Sequence, residues 1–504
     1  MEINLAQWRH LIKRPHMTWQ QRLVGDPHMT WQQRLVREPH TTWQQGLVGD
    51  PHMTWQQRLA RQRSIAPLAL LRIAFGLVML ISTIRFMAKG WVYEFYIAPK
   101  VFFPFYGFEW VRPLPAAGMY TVFVVMATAA LFILLGLFYR AATIAFFITF
   151  VYVELLDKSY YLNHYYFVTL ISLLLLFVPA HRYWSLDVLR KPGLKATRVP
   201  AWTVDIFRLQ LFLVYFFAGL SKLNHDWLID AEPLRIWLPA YGGWWKQLWV
   251  AYAMSWAGAL FDLSIGFLLW WGRTRLAAYV LVVLFHVVTG WLFKIGMFPY
   301  IMIAATLVFF EPSPKSSPSP SDKPAPSDKP SPSDSPSPNA KPAPLQPQAQ
   351  PSPPRWPIPK LLYIYFALQL LLPFRYLLYP GKLYWTEQGY RFSWRVMLME
   401  KGGTAFFYLR DARTNRRWEV QNSEFLTPLQ ERMMQTQPDM ILQFAHYLHD
   451  HYQHKGITDP IITVEDYVTL NGSGSRLYID STVDLAKQHE SFLPKTWILP
   501  YRQN

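Results

Sequence analysis

One lysine lies where an apolar run gives way to a polar one. In YFFAGLSKLNHDWL, residues 215–228, Lys222 closes the hydrophobic stretch, and Asn224, His225 and Asp226 follow it. A charged side chain in hydrocarbon costs about 2.5–3.5 kcal/mol on insertion scales. One reading is a long side chain that snorkels to the interface. The other is an amine that burial leaves neutral, so that it can act as a base. On the second reading the three polar neighbours orient the amine or hold it as an ion pair. A second concentration is ELLDKSYYLNHYYFVTL, residues 154–170, where Asp157, Lys158, Asn163 and His164 gather at the mouth of another apolar run. A lone histidine at a helix start is ordinarily structural. An Asn–His pair facing an intramembrane lysine offers a donor, an acceptor and a proton shuttle. His286, inside VLFHVVTGWLFKIGMF, is expected to face the interior of a bundle. His446, His449, His451 and His454 invite a metal reading, but their segment reads as a solvated helix surface with no groups to hold the ligands, so no metal is expected. No Gly-rich phosphate loop, GxSxG elbow or HExxH motif is present.

The elements that must position these residues are membrane helices. Of 504 residues, 52% are hydrophobic, 17% aromatic and only 16% charged. Several apolar runs approach the ~20 residues that a spanning helix needs. From Ser64 onward, hydropathy predicts eight or nine segments, at about 65–86, 118–138, 141–156, 164–180, 203–221, 248–271, 276–293, 297–311 and 359–379. FKIGMFP interrupts the pair 276–311, which therefore reads either as two segments or as one broken span. The fold class expected is an α-helical polytopic membrane protein with a C-terminal extramembrane α+β domain. With nine segments and the N-terminus inside, cytoplasmic stretches ahead of residue 312 hold seventeen Lys and Arg against eight on the other face. The positive-inside rule favours that orientation, which puts Lys222 and the C-terminal domain outside. The net charge of +17 is spread between apolar runs, which disfavours a nucleic-acid partner. The absence of cysteine excludes disulfides and thiol chemistry.

Outside the bundle the chain changes character three times. Residues 1–63 form an N-terminal tail in which PHMTWQQRLVGD recurs with a period of 12 residues over 15–60, expected to be disordered. They contain no signal-peptide h-region, so the first transmembrane helix is expected to serve as targeting signal. The bundle is assigned 64–311. Residues 312–357 are Pro/Ser-rich and predict an extended linker. The last membrane helix is assigned 358–379 and the extramembrane domain 380–504. Within that domain AFFYLRDARTNRRWEV predicts a hairpin turning at Asn415, PDMILQFAHYLHDHYQH an amphipathic helix, and IITVEDYVTLNGSGSRLYID a second hairpin.

Several ordered blocks carry a resemblance. LLDKSYYLNHYYFVTLISLLLLFVPAHRYWSLD, FLVYFFAGLSKLNHDWL, LFDLSIGFLLWW, FHVVTGWLFKIGMFPYIMIA, YWTEQGYRFSWRVM and TWILP resemble the HTTM domain and C-terminal region of vitamin K-dependent gamma-carboxylase and its bacterial relatives. The resemblance runs from about Pro67 to Tyr501, apart from the Pro-rich insert. It implies an enzyme that uses reduced vitamin K or menaquinol, O2 and CO2 to turn peptide glutamate into gamma-carboxyglutamate. It also implies a bacterial inner-membrane location, with a Glu-containing peptide and the lipid bilayer as partners and no metal. The family's lysine base falls on Lys222, its Asn–His pair near the quinone on Asn163 and His164, and His286 is expected to contact the quinone. The family's animal member has a lysine pair where this chain has Ser221 and Lys222. The alternatives are a quinone epoxidase without protein carboxylation, and a non-catalytic transporter or scaffold. Against a transporter, no inverted repeat with paired broken helices is evident. A different quinone-using oxidoreductase finds no haem-ligand pair or flavin motif.

Overall fold

The computed structural model describes residues 54–311 and 358–501. The linker 312–357 and nearly all of the repeats lie outside the described residues. Of the unit Met1–Leu59 only 54–59 are described, within a short helix Trp55–Ala60. All that follows concerns the unit Ala60–Asn504.

A short antiparallel pair, β1 (Gln62–Ser64) and β2 (Arg198–Pro200), ties the start of the unit to the entry of a central helix. The bundle contains α1 (Ala66–Ala88), α2 (Ala116–Leu135), α3 (Tyr139–Leu156), α4 (Asn163–Leu175), α5 (Trp202–Lys222), α6 (Leu248–Trp270), α7 (Arg275–Phe293), α8 (Phe298–Thr306) and α9 (Ile358–Leu371). Among the described residues seven helices are long and apolar enough to cross a membrane; α4 and α8 are apolar but shorter. All nine expected segments are therefore helices, but two of them fall short of full length. α5 is the most enclosed of the seven, with only the stripe Asp205, Leu209, Phe212, Phe216 and Leu220 half-buried beyond its first residue.

The pair 276–311 is two elements, not one broken span. Lys294 and Gly296 take left-handed backbone conformations, φ +49° and +63°, and reverse the chain. Tyr279 near the start of α7 and Phe310 just beyond α8 then lie 5.1 Å apart, ring to ring, so the two helices run antiparallel. Buried Arg72 explains how helix ends are tolerated inside the bundle. Its guanidinium donates to the carbonyls of Ile133 and Leu134 at the end of α2, and to those of Ala180 and Trp184. The Ile133 carbonyl also accepts from the Gly136 backbone N–H (3.1 Å); carbonyls of a last turn lack the usual i+4 partner, and hydrocarbon supplies none.

The C-terminal domain contains β3 (Lys401–Arg410), β4 (Arg417–Val420), α10 (Pro428–Met434), α11 (Pro438–His454), β5 (Ile461–Leu470) and β6 (Arg476–Leu477). Both hairpins and the helix form as their patterning predicts. Asn415, Asn471 and Gly472 take the positive φ that the turns require. The sheet order is β4-β3-β5-β6, so β3 and β5, remote in sequence, make its centre over ten residue pairs. Ala405, Phe407 and Leu409 alternate inward, and Phe407 meets Phe444 of α11 at 4.9 Å. The domain sits on the loops that join the membrane helices. Lys158 pairs with Asp439 (2.8 Å), Gln430 donates to Asp157 (2.8 Å), and Lys382 pairs with Asp226 (2.8 Å).

Candidate functional site

Lys222 is the last residue of α5 and is buried. Its Nζ lies 2.6 Å from Oδ2 of Asp262 on α6 and 3.4 Å from the carbonyl of Ala218, with the Trp227 ring 5.3 Å away. The close approach of the two helices is set at Gly219. A Cβ there would stand 2.6 Å from the Leu263 backbone nitrogen and 3.0 Å from the Asp262 carbonyl carbon. Only a glycine lets the backbones touch one turn before the lysine. The expected partners of Lys222 lie elsewhere. Asn224 caps the next turn through Trp227 N (3.0 Å), His225 pairs with Asp230 (3.0 Å), and Asp226 is taken by Lys382. The amine is thus not stripped by hydrocarbon alone: with Asp262 it forms a unit of zero net charge, wherever the shared proton rests.

The pair borders a cavity of about 100 Å³, on the order of the apolar cavities that admit a benzene ring. Phe167, Phe285, Phe293, Phe298, Met254 and Met302 are among the apolar residues of its wall. Asn163 and His286 reach the same cavity from α4 and α7. His286 is fixed by Tyr215, whose hydroxyl is 2.9 Å from Nε2, while its Nδ1 is buried without a partner. Trp394, also in the wall, has a buried Nε1 without a partner. Asn163 donates from Nδ2 to the Arg395 carbonyl (2.8 Å) and accepts from the Tyr161 hydroxyl (3.0 Å). One hydrogen of Nδ2 and one lone pair of Oδ1 remain for a ligand.

Of the four sequence-selected residues, the structure brings Lys222, Asn163 and His286 to one cavity. It separates His164 from them. Neighbouring residues on a helix point about 100° apart, and His164 lines a different cavity with Glu154 and Arg85. Phe298 lies between the two histidines, 5.8 Å from His164 and 5.3 Å from His286, ring to ring. Asp157 and Lys158 turn toward the extramembrane domain. Burial pushes the Asp157 carboxyl up to about 6, against the hydrogen bonds from Ser159 and Gln430. The four C-terminal histidines disperse: His446 contacts the Gln488 carbonyl, His449 the Asp450 carboxylate and His454 the Asp450 carbonyl, while His451 packs against Phe425 and Tyr447. The sequence reading missed Asp262, although a lone acid within the apolar run Leu248–Trp270 was a usable signal. Tyr215 and Trp394 carried no such mark among so many aromatics.

Two family models match the chain. The HTTM domain model covers residues 60–313, and the model for the lumenal domain of vitamin K-dependent gamma-carboxylase covers 357–504. No solved structure matches. The matched regions are the helical bundle that holds Lys222 and the strand-containing domain that packs on its loops. The chain belongs to the vitamin K-dependent gamma-carboxylase family of HTTM-domain membrane proteins.

Proposed function

We propose that the Lys222 cavity binds a reduced naphthoquinone of the vitamin K type, and that the protein couples its oxygenation to carboxylation of a peptide glutamate. The observation that carries this reading is the Lys222–Asp262 pair on a mostly apolar cavity whose wall also includes His286 and Trp394, each with a buried, unpartnered nitrogen (Nδ1 and Nε1). Unpartnered buried polar atoms are costly, and a ligand with oxygen atoms on an apolar ring would satisfy them. When bound, the reduced quinone supplies electrons to O2 and the basicity needed to remove a glutamate γ-proton. Lys222 Nζ is the proton acceptor for the phenol-like hydroxyl. With the shared proton on Asp262, Nζ is free to accept another; Asp262 keeps that nitrogen in place, and the ammonium formed stands beside the anion that proton loss creates. In a dry site this attraction is worth far more than in water. His286, anchored through Tyr215, and Asn163 are placed to hold the ligand oxygens. The zero net charge of the pair makes the site compatible with a ligand that arrives from the bilayer.

The test is a two-product assay on protein in lipid nanodiscs, given reduced vitamin K, O2, labelled bicarbonate and a Glu-rich peptide, with Lys222→Ala alongside. The expected result is epoxide and labelled peptide together, both lost in the variant. Epoxide without labelled peptide would reduce the function to quinone epoxidation. Neither product, or undiminished epoxide from Lys222→Ala, would overturn the reading.

A further inference from the structure

Arg395 stands on the far side of the wall that closes the Lys222 cavity. The segment 393–397 divides two spaces. Trp394, Val396 and Met397 line the Lys222 cavity, whereas Ser393 and Arg395 line a second cavity of about 270 Å³. Ser221, adjoining Lys222, lines that second cavity as well, so the two spaces are neighbours along both α5 and this segment.

Arg395 is 8% exposed. Its guanidinium lies over the Tyr376 ring at 4.4 Å and near the Tyr384 hydroxyl, and its Nε is buried without a hydrogen-bond partner. Among the described residues no carboxylate lies within ion-pairing distance of it. The other buried arginines among the described residues are provided for, Arg72 by four carbonyls and Arg208 by Asp205 and Glu311, and the half-buried Arg391 pairs with Asp439. The one carboxylate that lines the second cavity, Asp226, is bound by Lys382 at 2.8 Å and by Asn471 at 3.1 Å. The cavity therefore holds one cation in excess, and a buried cation without an anion is a costly arrangement.

We propose that this second cavity is a carboxylate subsite, in which Arg395 receives the anionic oxygens of a peptide glutamate or of bicarbonate. The planar fork of a guanidinium matches the two oxygens of a carboxylate, and its face is already held by Tyr376. The choice of anion rests on the function proposed above. The existence of an anion site rests on Arg395 alone.

The test is equilibrium binding to the full chain in nanodiscs with no quinone present, so it is independent of turnover at Lys222. The probes are a fluorescent Glu-containing pentapeptide, its Gln counterpart, and sodium bicarbonate as competitor. Arg395→Gln is expected to weaken the Glu peptide about 10- to 100-fold, the range for a lost charged hydrogen bond, and to leave the Gln peptide unchanged. Arg395→Lys, which keeps the charge and loses the fork, should fall between, and it decides the matter if Arg395→Gln does not fold. Arg395-dependent bicarbonate binding with unaltered peptide affinity would assign the subsite to the inorganic anion. Unaltered binding of both probes in both variants would overturn the proposal.

Discussion

Replacing Asp262 by asparagine keeps the side-chain volume on α6 and removes the charge opposite Lys222. Both side chains of the pair are only 7% exposed, so solvent does little to screen the interaction. Breaking a buried ion pair from one side costs about 3–5 kcal/mol, because the remaining charge is stranded. Unfolding entropy scales at roughly 2.1 cal/mol/K per residue, which for the unit Ala60–Asn504 gives a shift of about 1 °C per kcal/mol. Asp262→Asn and Lys222→Met should each lower Tm in nanodiscs by roughly 3–5 °C. The double variant Lys222→Met/Asp262→Leu removes both charges and should recover most of that loss, since apolar replacements of a buried pair are often neutral. Thermal unfolding of the parent, the single variants Lys222→Met and Asp262→Leu, and their double variant closes a double-mutant cycle. Single variants as stable as the parent, or a double variant destabilised by the sum of the singles, would refute the claim that the two side chains form one buried unit.

Further outcomes follow from the same geometry. Gly219→Ala must push α6 away by the 2.6 Å contact at Leu263, and should cut epoxide formation about tenfold or more while the protein still folds, read by product assay and size exclusion. Tyr215→Phe removes the anchor of His286 Nε2, and should raise the KM for reduced quinone more than it lowers kcat, read from steady-state kinetics. Burial alone would push the Asp439 carboxyl up, but Arg391 and Lys158 overcome it and hold it well below the usual carboxylate range. The unfolded carboxyl titrates near 3.9. Its contribution is therefore complete at neutral pH and is lost as pH falls from about 5 toward the lower folded value. Asp439→Asn should flatten the acid limb of Tm against pH. Asp466 occupies a core position of β5, with neither carboxylate oxygen hydrogen-bonded, and burial raises it well above its ordinary value. Its penalty appears only where the unfolded chain ionises, so Asp466→Asn should raise Tm at pH 7.5 and leave it unchanged below pH 4.

Much of this architecture is legible in composition and periodicity. Apolar runs near twenty residues mark the helices because hydrocarbon leaves the backbone no other partner. The two hairpins of the C-terminal domain are readable because Asn415, Asn471 and Gly472 are residues that accept positive φ. What local patterning omits is long-range. The β3–β5 pairing joins strands about sixty residues apart, with a helix between them, and no turn signal announces it. The site shows the same division. Lys222 and His286 stand out as polar residues in apolar surroundings, whereas the partner of Lys222 lies forty residues away on another helix. Its sequence neighbours Asn224, His225 and Asp226 looked like natural partners, but the chain turns at Leu223 and directs them to other contacts. Helical geometry likewise splits Asn163 from His164, which adjacency in sequence had joined.

The measurement closest to the central claim is epoxide formation by the double variant Lys222→Met/Asp262→Leu, once its folding has been verified. Stability and chemistry separate in this protein: the charge cost is gone, the cavity is still apolar, and only the proton acceptor is missing. A positioned general base is worth about 10²–10⁴-fold in rate. A folded double variant whose epoxide formation falls by that factor is the predicted result. A folded double variant that forms epoxide at the parental rate would contradict the assignment of Lys222 as the base.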